Sequence, residues 1–345
     1  MRVTQSMMMN AYTSRLGKVL GNMNDATIKV ETNGRRFLTA AEDPARAARA
    51  YQLRKAMQAN DDYLNNVLNT LDTMDPIQQS MKLLSGAATD AYKELALRAM
   101  NDPWALEDRQ IMANEIRTIM ETCAYELNAK FEEKFLFGGS NTKNEPPFEL
   151  IRSGMDGDGK PTWSLTFRGL DVTDPRNQEE LARLADEKIY MDLGFGLTVD
   201  LDPETGKPNV KPNTAFNTAY PGIDFIGYGT DPADNFILNL GIIANLLENE
   251  FLDRDALDKH LKKLSGQQQN ILIAATNLDA NANFLQQRRT VLERNNDALN
   301  SKILNTEFMD MEQAISIWKM ADYTYRASLE MGTKILTPSF IDFMR

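Results

Sequence analysis

The chain has 345 residues and a formal net charge of −11, with one Cys and one His. A single Cys excludes an internal disulfide, one His leaves little for a zinc site, and the acidic excess argues against a general nucleic-acid binder. No apolar run approaches the roughly 20 residues that a membrane-spanning helix needs, so membrane insertion is not expected.

Proline and glycine divide the chain into three parts. Residues 139–235 contain 9 of the 13 prolines, 11 of the 19 glycines, and 17 acidic against 9 basic residues. The flanks are poor in both helix breakers, as long helices require. The sequence therefore predicts a mainly α-helical fold with a small β-rich insert, in which the N- and C-terminal flanks form a long antiparallel helical rod or coiled coil. The predicted domains are terminal helices at 1–40 and 305–345, a helical rod at 41–138 and 236–304, and an acidic β-rich outer domain at 139–235.

The first helix is marked by an apolar stripe whose steps alternate between three and four residues, the a/d pattern of a coiled coil. The stripe consists of Met9, Tyr12, Leu16, Val19 and Met23. A turn is expected at Asn33-Gly34. Asp43-Pro44 then supplies a capping side chain and a first position for the next helix.

Two further helices are predicted before the insert. In the first, apolar residues at heptad steps run from Leu53 to Met74, with the polar Asn60 as an interruption. The second is predicted over about residues 106–134, with Cys123 on its apolar face. A free Cys in that position is expected to pack as a small buried hydrophobe.

The insert has the alternating pattern of β-strands. Residues 163–167 alternate apolar and polar side chains, which predicts a half-buried strand, and residues 197–201 do the same. Turn-forming residues at 202–206 predict a hairpin after the second strand. A short helix is expected at 177–190, between the two strands.

A seven-residue repeat runs through the C-terminal flank. Because seven residues is close to two helical turns, the repeat predicts one apolar stripe on a single helix of about 63 Å. Its members are Leu257, Leu264, Ile271, Leu278, Leu285, Leu292 and Leu299.

The last predicted helix carries another stripe, which Asp322 and Gly332 interrupt. Its members are Phe308, Met311, Ile315, Trp318, Tyr325, Leu329 and Leu336. Pairing the first helix with the last would bury part of both stripes, and neighbouring copies would cover the apolar surface that remains. The two stripes are therefore the predicted subunit interface of a homopolymer, a ring or helix of identical chains. A monomeric helical bundle with its termini tucked in is the alternative.

Candidate chemical sites are weak. Residues 156–160 resemble the start of a calcium loop, but Lys160 stands at a ligand position and Phe167 stands where the loop needs Glu, so a tight turn is predicted. His260 has no second His with which to share a metal and is predicted to be a solvated surface residue. We expect no catalytic residue, no metal site and no cofactor, and the chain is not predicted to be an enzyme.

Both flanks resemble the flagellin superfamily. Residues 33–45 (NGRRFLTAAEDPA) and 93–102 (KELALRAMND) are similar to two family segments in the correct order, and residues 108–116 follow the next family helix. Residues 289–332 follow the last two family helices, although residues 308–312 replace the usual Asp-x-Asp-x-Ala run. The resemblance covers both flanks and leaves out the insert.

Two segments resemble the hook-associated branch of the superfamily. They are residues 135–142 (FLFGGSNT), which lead to Pro146-Pro147-Phe148, and the tail at 335–345 (ILTPSFIDFMR). The resemblance implies a structural subunit of the bacterial flagellum that joins the hook to the filament. The filament flagellin itself is one alternative. A type III secreted translocator or needle-tip coiled-coil protein is another, although it would not match the family at both ends.

The same resemblance implies an assembly, a set of partners and a location. Family members pair their terminal helices in an inner coiled coil that lines a tube, with the helical rod and the variable domain outside it. The implied partners are further copies of the chain, hook-associated protein 1, flagellin, and the flagellar type III export chaperone and apparatus. Export without a cleaved signal peptide and an extracellular location at the hook–filament junction are the corresponding expectations.

One implied contact concerns a single side chain, Lys93. An innate immune receptor binds the flagellins of many bacteria through the helix that contains the segment matching residues 93–102. Lys93 stands where the family usually has Arg, and a lysine lacks the bidentate geometry of a guanidinium. Lys93 is therefore a hypothetical receptor contact.

Overall fold

The computed structural model describes residues 5–98, 105–141, 145–157, 159–201, 208–211 and 214–336. The chain divides into two compact units, one formed by Met1–Asp62 with Leu292–Arg345 and the other by Tyr63–Val291. The helices are α1 (Gln5–Glu31), α2 (Pro44–Thr89) with a π-helical continuation (Asp90–Ala96), α3 (Leu106–Glu126), α4 (Gln178–Ala185), α5 (Gly222–Ile226), α6 (Phe236–Leu247), α7 (Arg254–Glu307) and α8 (Met311–Leu336). The strands are β1 (Lys130–Phe131), β2 (Lys134–Phe135), β3 (Phe148–Met155), β4 (Pro161–Phe167), β5 (Leu170–Asp171), β6 (Tyr190–Met191), β7 (Val199–Leu201), β8 (Pro208–Val210) and β9 (Phe216–Asn217).

In the first unit, α1 packs along α8 in the opposite direction. The predicted turn after α1 is confirmed, because Asn33 and Gly34 have φ angles of 56° and 81°. These left-handed values favour Gly and, among other residues, Asn. The Gly34 carbonyl accepts a hydrogen bond from the Met309 amide at 2.7 Å, so the turn lies against the start of α8.

The first unit also holds the start of α2 against the end of α7. Asp43 caps α2 as predicted, because its Oδ1 accepts a hydrogen bond from the Arg46 amide at 3.0 Å. Asn60, the polar interruption of the α2 stripe, is buried. Its Nδ2 donates to the Leu292 carbonyl and to Asn296 Oδ1, both at 2.8 Å, which satisfies the buried amide and fixes the register of the two helices.

The second unit contains the buried helix α6, which is apolar on nearly every side. Such a helix must be covered all round, and α6 packs against α3 and β4. Asn235 caps its first turn by accepting from the amides of Ile237 and Leu238. At the other end, the buried Arg109 guanidinium donates to carbonyls at and just after the end of the helix: Leu247, Asn249 and Glu250.

The sheets of the second unit are small and antiparallel. β3, β4 and β5 form a three-stranded sheet in which Phe148 pairs with Phe167 and Leu150 with Leu165. The remaining strands pair in twos as β1-β2, β6-β9 and β7-β8. Long packed helices with small sheets confirm the predicted fold class. The predicted three-part domain division stays a prediction.

The apolar patterns of α7 and β4 are confirmed by burial. Leu165 and Phe167 of β4 are buried, as predicted for a half-buried strand. In α7 the heptad stripe is buried at six of its seven positions, and Leu299 is partly exposed. The buried six are Leu257, Leu264, Ile271, Leu278, Leu285 and Leu292.

Three local predictions were wrong in extent or environment. The helix predicted to reach residue 134 ends at Glu126, because the chain turns through Glu132 and Glu133, both with positive φ, to pair β1 with β2. The helix predicted at 177–190 spans only Gln178–Ala185. Of the strand predicted at 197–201, residues 199–201 form β7, which pairs antiparallel with β8, but its side chains are exposed because an isolated two-stranded ribbon has no layer to cover it. The turn predicted at 202–206 lies outside the described residues.

His260 was also predicted wrongly. It is partly buried, and its Nδ1 lies 2.9 Å from Asn239 Oδ1. Asn239 lies in the buried α6, and its Nδ2 donates to the His260 carbonyl at 3.2 Å and to Gln267 Oε1 at 3.0 Å. The side chain is therefore part of a polar network beside α6.

Candidate subunit interface

The two predicted stripes meet in the α1–α8 pair of the first unit. The Tyr12 hydroxyl donates to the Ser328 carbonyl at 2.9 Å, and Trp318 Nε1 donates to Thr27 Oγ1 at 3.1 Å. Both bonds join residues that are more than 290 positions apart in sequence. The tyrosine and the indole thus bury their apolar bodies between the helices and keep a hydrogen-bond partner for their polar ends.

A glycine explains one interruption of the α8 stripe. Gly332 is buried, and a Cβ at this position would overlap the Tyr12 hydroxyl and ring. A larger residue here would push Tyr12 away from Ser328. The absent side chain therefore makes room for the aromatic residue of α1.

The predicted stripe residues divide by exposure into two groups. Half-buried in the unit are Tyr12, Leu16, Val19, Met23, Phe308, Trp318 and Tyr325. More exposed are Met9, Met311, Ile315 and Leu329. The side chain of Leu336 lies outside the described residues. Most of the stripe surface is thus used within the chain, and further apolar surface is exposed elsewhere on α8.

That surface lies on the other side of α8, which we call the outer face of α8: Ile317, Met320, Tyr323 and Met331. Each is exposed, and Tyr323 and Met320 are 76% and 72% exposed. At about 100° per residue, Met320 and Tyr323 point roughly opposite to Trp318, which faces α1. The outer face of α8 was not predicted, because the prediction considered only the residues of one apolar stripe. The large apolar residues of α8 that do not belong to this stripe could have indicated a second apolar surface.

Two glycines of α1 are turned away from α8. Gly17 and Gly21 are one turn apart, and a Cβ on either would meet nothing within 4 Å. Glycine inside a helix costs about 1 kcal/mol relative to alanine. No contact within the described part of the chain requires a glycine at either position. Leu20, next to Gly21 in the sequence, is also exposed, and so are Met7 and Met8 near the start of α1.

A charged pair fixes the end of α7 next to the α1–α8 pair. Arg54 Nε and Nη2 donate to Glu307 Oε1 and Oε2 at 2.8 and 2.6 Å, a bidentate arrangement that raises the pKa of the arginine. The carboxylate is only 5% exposed. Arg36 Nε also donates to the Phe308 carbonyl at 2.7 Å. The end of α7 is therefore held by α2, and the link from α7 to α8 is held by the turn after α1.

Lys93, the hypothetical receptor contact, is exposed and lies in the π-helical continuation of α2. It does not lie among the residues of the α1–α8 pair. Its role in receptor binding stays a prediction.

Metal or nucleophile chemistry gains no support from the described residues. Among them, no group of three His, Cys, Asp or Glu side chains is placed to hold a metal ion. Around residue 156 the chain makes the predicted tight turn, in which the Asp156 amide donates to the Lys160 carbonyl at 2.8 Å. Cys123 is buried, and burial raises the pKa of its thiol to about 12, so the reactive thiolate is scarce.

Within the described ranges, we find no helix whose length and hydropathy together would let it cross a bilayer.

Known proteins share both the sequence pattern and the fold of this chain. Residues 3–142 match the family model of the bacterial flagellin N-terminal helical region. No curated protein has a significantly similar sequence. A protein from Vibrio parahaemolyticus described as flagellar hook-associated has a solved structure with a TM-score of 0.53 and 16% identity, covering 77% of this chain and 100% of that one.

Two other solved structures are similar at lower scores. FlgL from Bacillus cereus has a TM-score of 0.49 and 16% identity, covering 73% of this chain and 99% of that one. The flagellar hook-associated protein 3 from Legionella pneumophila has a TM-score of 0.45 and 11% identity, covering 74% and 98%. The family-model match at residues 3–142 agrees with the resemblance of the N-terminal flank to the flagellin superfamily, and the chain shares the fold of the Vibrio protein.

Proposed function

We propose that this chain is a structural subunit at the hook–filament junction of the flagellum, and that it assembles through α1 and α8 with neighbouring subunits. The observation that carries the proposal is the outer face of α8. Its large apolar side chains stay exposed although α8 is already paired with α1. Exposed large apolar side chains on one side of a helix are typical of a protein–protein interface.

The small residues of α1 support the same proposal. The outer face of α8 is a ridge of large side chains, whereas Gly17 and Gly21 leave a shallow groove on α1. A ridge on one helix packs into a groove on another. A contact between α8 of one copy and α1 of the next would bury both surfaces at once, and it would repeat from copy to copy because the two surfaces differ.

The partners follow from the family and from the hook-associated segment at residues 135–148. In this proposal one side of the subunit assembly meets hook-associated protein 1, and the other meets the first flagellins. Before assembly, the flagellar type III export chaperone covers the exposed apolar surface near the C-terminus, and the export apparatus delivers the chain outside the cell. The predicted stripe residues then serve to form the α1–α8 pair, and the outer face of α8 serves the contact between subunits.

Immunogold electron microscopy on intact flagella tests the location. The antibody is raised against residues 150–230, which include the exposed side chains of β7. Label in a narrow band between hook and filament supports the junction proposal. Label along the whole filament identifies the chain as a filament flagellin and contradicts the junction role. Absence of label from every flagellum, with the chain detected elsewhere in the culture, contradicts both.

A pair of matched variants tests the interface. Met320→Ser with Tyr323→Ser removes apolar surface from the outer face of α8, and is expected to abolish incorporation into flagella while leaving the helical signal in circular dichroism unchanged. Ile151→Ser with Met155→Ser removes exposed apolar surface from β3 and is expected to leave incorporation intact. Normal incorporation of the α8 variant would refute this assignment of the interface.

A further inference from the structure

Exposed methionines are concentrated on the terminal helices of the first unit. Met320 and Met331 are 72% and 59% exposed, and they lie eleven residues apart, about three turns on the same side of α8. The full set on the two helices is Met7, Met8, Met9, Met311, Met320 and Met331.

Four methionines and the cysteine of the second unit are buried. Met74, Met81, Met112 and Met120 are at most 8% exposed. Cys123 is buried with a thiol pKa of about 12, so it is a poor target for oxidants, which attack the thiolate. Met155 on β3 is exposed like the terminal methionines but belongs to the second unit.

We propose that the exposed methionines of α1 and α8 form an oxidation site, at which hydrogen peroxide converts the free chain to a form that cannot be incorporated into the flagellum. In each reaction a lone pair of the thioether sulfur attacks one peroxide oxygen, an S–O bond forms and the O–O bond breaks. The departing hydroxide takes up the proton of the transferred oxygen and leaves as water. The sulfur is oxidised by two electrons to the sulfoxide, and the peroxide is reduced.

Oxidation changes the chemistry of the surface on which assembly depends, so the inference rests on the proposed function. A thioether is apolar and flexible, whereas a sulfoxide is polar and must keep a hydrogen-bond partner when it is buried. Met320 lies one turn from Tyr323, in the middle of the outer face of α8. Covering a sulfoxide there by a neighbouring subunit would leave its oxygen unpaired. A free subunit is therefore sensitive to oxidant, and an incorporated subunit is protected because the same face is covered.

The first part of the test maps the reaction on the full chain. The folded chain is treated with hydrogen peroxide for increasing times, and each sulfoxide is located by mass spectrometry after digestion. The terminal methionines and Met155 are expected to oxidise at least about tenfold faster than Met74, Met81, Met112 and Met120, in line with their access to solvent. Equal rates in the two groups overturn the proposal.

The second part measures binding to isolated hooks by cosedimentation, with hooks taken from a strain deleted for this chain. Untreated chain is expected to sediment with the hooks. Oxidised chain is expected to bind about tenfold more weakly or worse, the change that follows from burying even one polar group without a partner. Treatment with the methionine sulfoxide reductases MsrA and MsrB is expected to restore binding.

Leucine variants assign the effect to particular sulfurs. Each Leu variant is compared with its own untreated sample: with Leu at the six terminal methionines, peroxide is expected to leave the variant's binding unchanged, whereas with Met155→Leu peroxide is expected to weaken binding as it does in the wild-type chain. If the six-fold variant does not fold, the test is the reductase treatment of the oxidised wild-type chain. Failure of this treatment to restore binding then overturns the inference. Full binding by a chain shown to carry sulfoxides at Met320 and Met331 overturns the inference and leaves the proposed function intact. Absence of binding by the untreated chain instead contradicts the proposed function.

Discussion

At the scale of single residues, Gly332 shows how one missing side chain sets the geometry of the terminal helices. The position interrupts the apolar stripe of α8, and Tyr12 fills the space that a side chain would occupy. The hydroxyl of Tyr12 then reaches the Ser328 carbonyl one turn earlier on α8. Tyr12 and Gly332 are therefore best regarded as one contact made by two helices.

Replacing this glycine and a matched one should have opposite effects on the free chain. Gly332→Ala is expected to lower the free energy of unfolding by about 1–3 kcal/mol, because an inserted methyl group overpacks the site and displaces Tyr12. Gly21→Ala is expected to raise it by about 0.5–1 kcal/mol, because that glycine has open space around its Cα and alanine favours the helix. Urea unfolding followed by circular dichroism measures both. Equal effects of the two changes on stability would show that the packing of Tyr12 does not require a glycine at position 332.

His260 makes the stability of the second unit depend on pH. Burial lowers the pKa of this imidazole below its ordinary value of 6.5, Lys259 and Lys263 act in the same direction, and Asp231 opposes them. The unfolded chain therefore binds more protons at this residue than the folded chain does. The contribution of His260 to stability is complete above pH about 6.5 and is lost as the pH falls through the lower folded-state pKa.

The corresponding prediction is a fall in the free energy of unfolding between about pH 7 and pH 5 that depends on His260. His260→Gln keeps a hydrogen-bonding group beside Asn239 but cannot titrate, so its stability is expected to change less over this range. Urea titrations of both proteins at several pH values make the comparison. Carboxylates with a lowered pKa, such as Glu187, take up protons at lower pH, and they change the stability of both proteins by the same amount. Parallel curves for the two proteins would contradict the role of His260.

At the scale of elements, one arginine of α7 holds the loop at residues 193–195. Arg288 Nε donates to the Leu193 carbonyl at 2.8 Å and Nη2 to the Gly194 carbonyl at 3.2 Å. Its guanidinium also lies 4.4 Å from the centre of the Phe195 ring, a cation–π contact. A planar group with several donors makes all three contacts at once, which an ammonium cannot do.

Arg288→Lys is therefore expected to release this loop while α7 stays helical. Amide hydrogen exchange at residues 193–195 should become faster by about tenfold, which corresponds to a loss of about 1.4 kcal/mol in the local opening free energy. Arg294→Lys, at an exposed position on the same helix, is the matched control and should leave the loop unchanged. Unchanged hydrogen exchange in Arg288→Lys would show that the stacking of Phe195 on Phe284 holds the loop without the arginine.

At the scale of the whole molecule, we expect the two units to have separate roles, folding stability in the second and assembly in the first. The second unit has its own buried core around α6, and assembly is proposed to depend on α1 and α8 of the first. A chain lacking residues 1–31 or 311–345 is expected to keep a cooperative unfolding transition from the second unit and to lose binding to hooks. Calorimetry and cosedimentation measure the two properties. Retained hook binding in either truncation would contradict assembly through these helices.

The sequence by itself determined the helical flanks, the resemblance of residues 3–142 to the flagellin N-terminal helical region, and much of the local structure. A heptad stripe of leucines, the turn at Asn33-Gly34 and the cap at Asp43 are encoded by residues close together in the chain, and each was confirmed. Local backbone preference and helical periodicity act over a few residues, so they can be read without knowing what packs against them. The N-terminal part of the family resemblance was confirmed by the family model at residues 3–142, because its segments are equally local.

Only the tertiary structure decided which surfaces are covered. Periodicity identified the apolar stripe of α8, but it could not show that α1 uses this stripe, that Gly332 accommodates Tyr12, or that Met320 and Tyr323 remain exposed. For the same reason His260 was expected in solvent and was found beside Asn239, and β7 was expected to be half-buried and was found exposed. Whether a residue is buried depends on packing partners that can be hundreds of residues away in the chain. The alternation of apolar and polar residues along a segment indicates only which side of the segment is suited to burial.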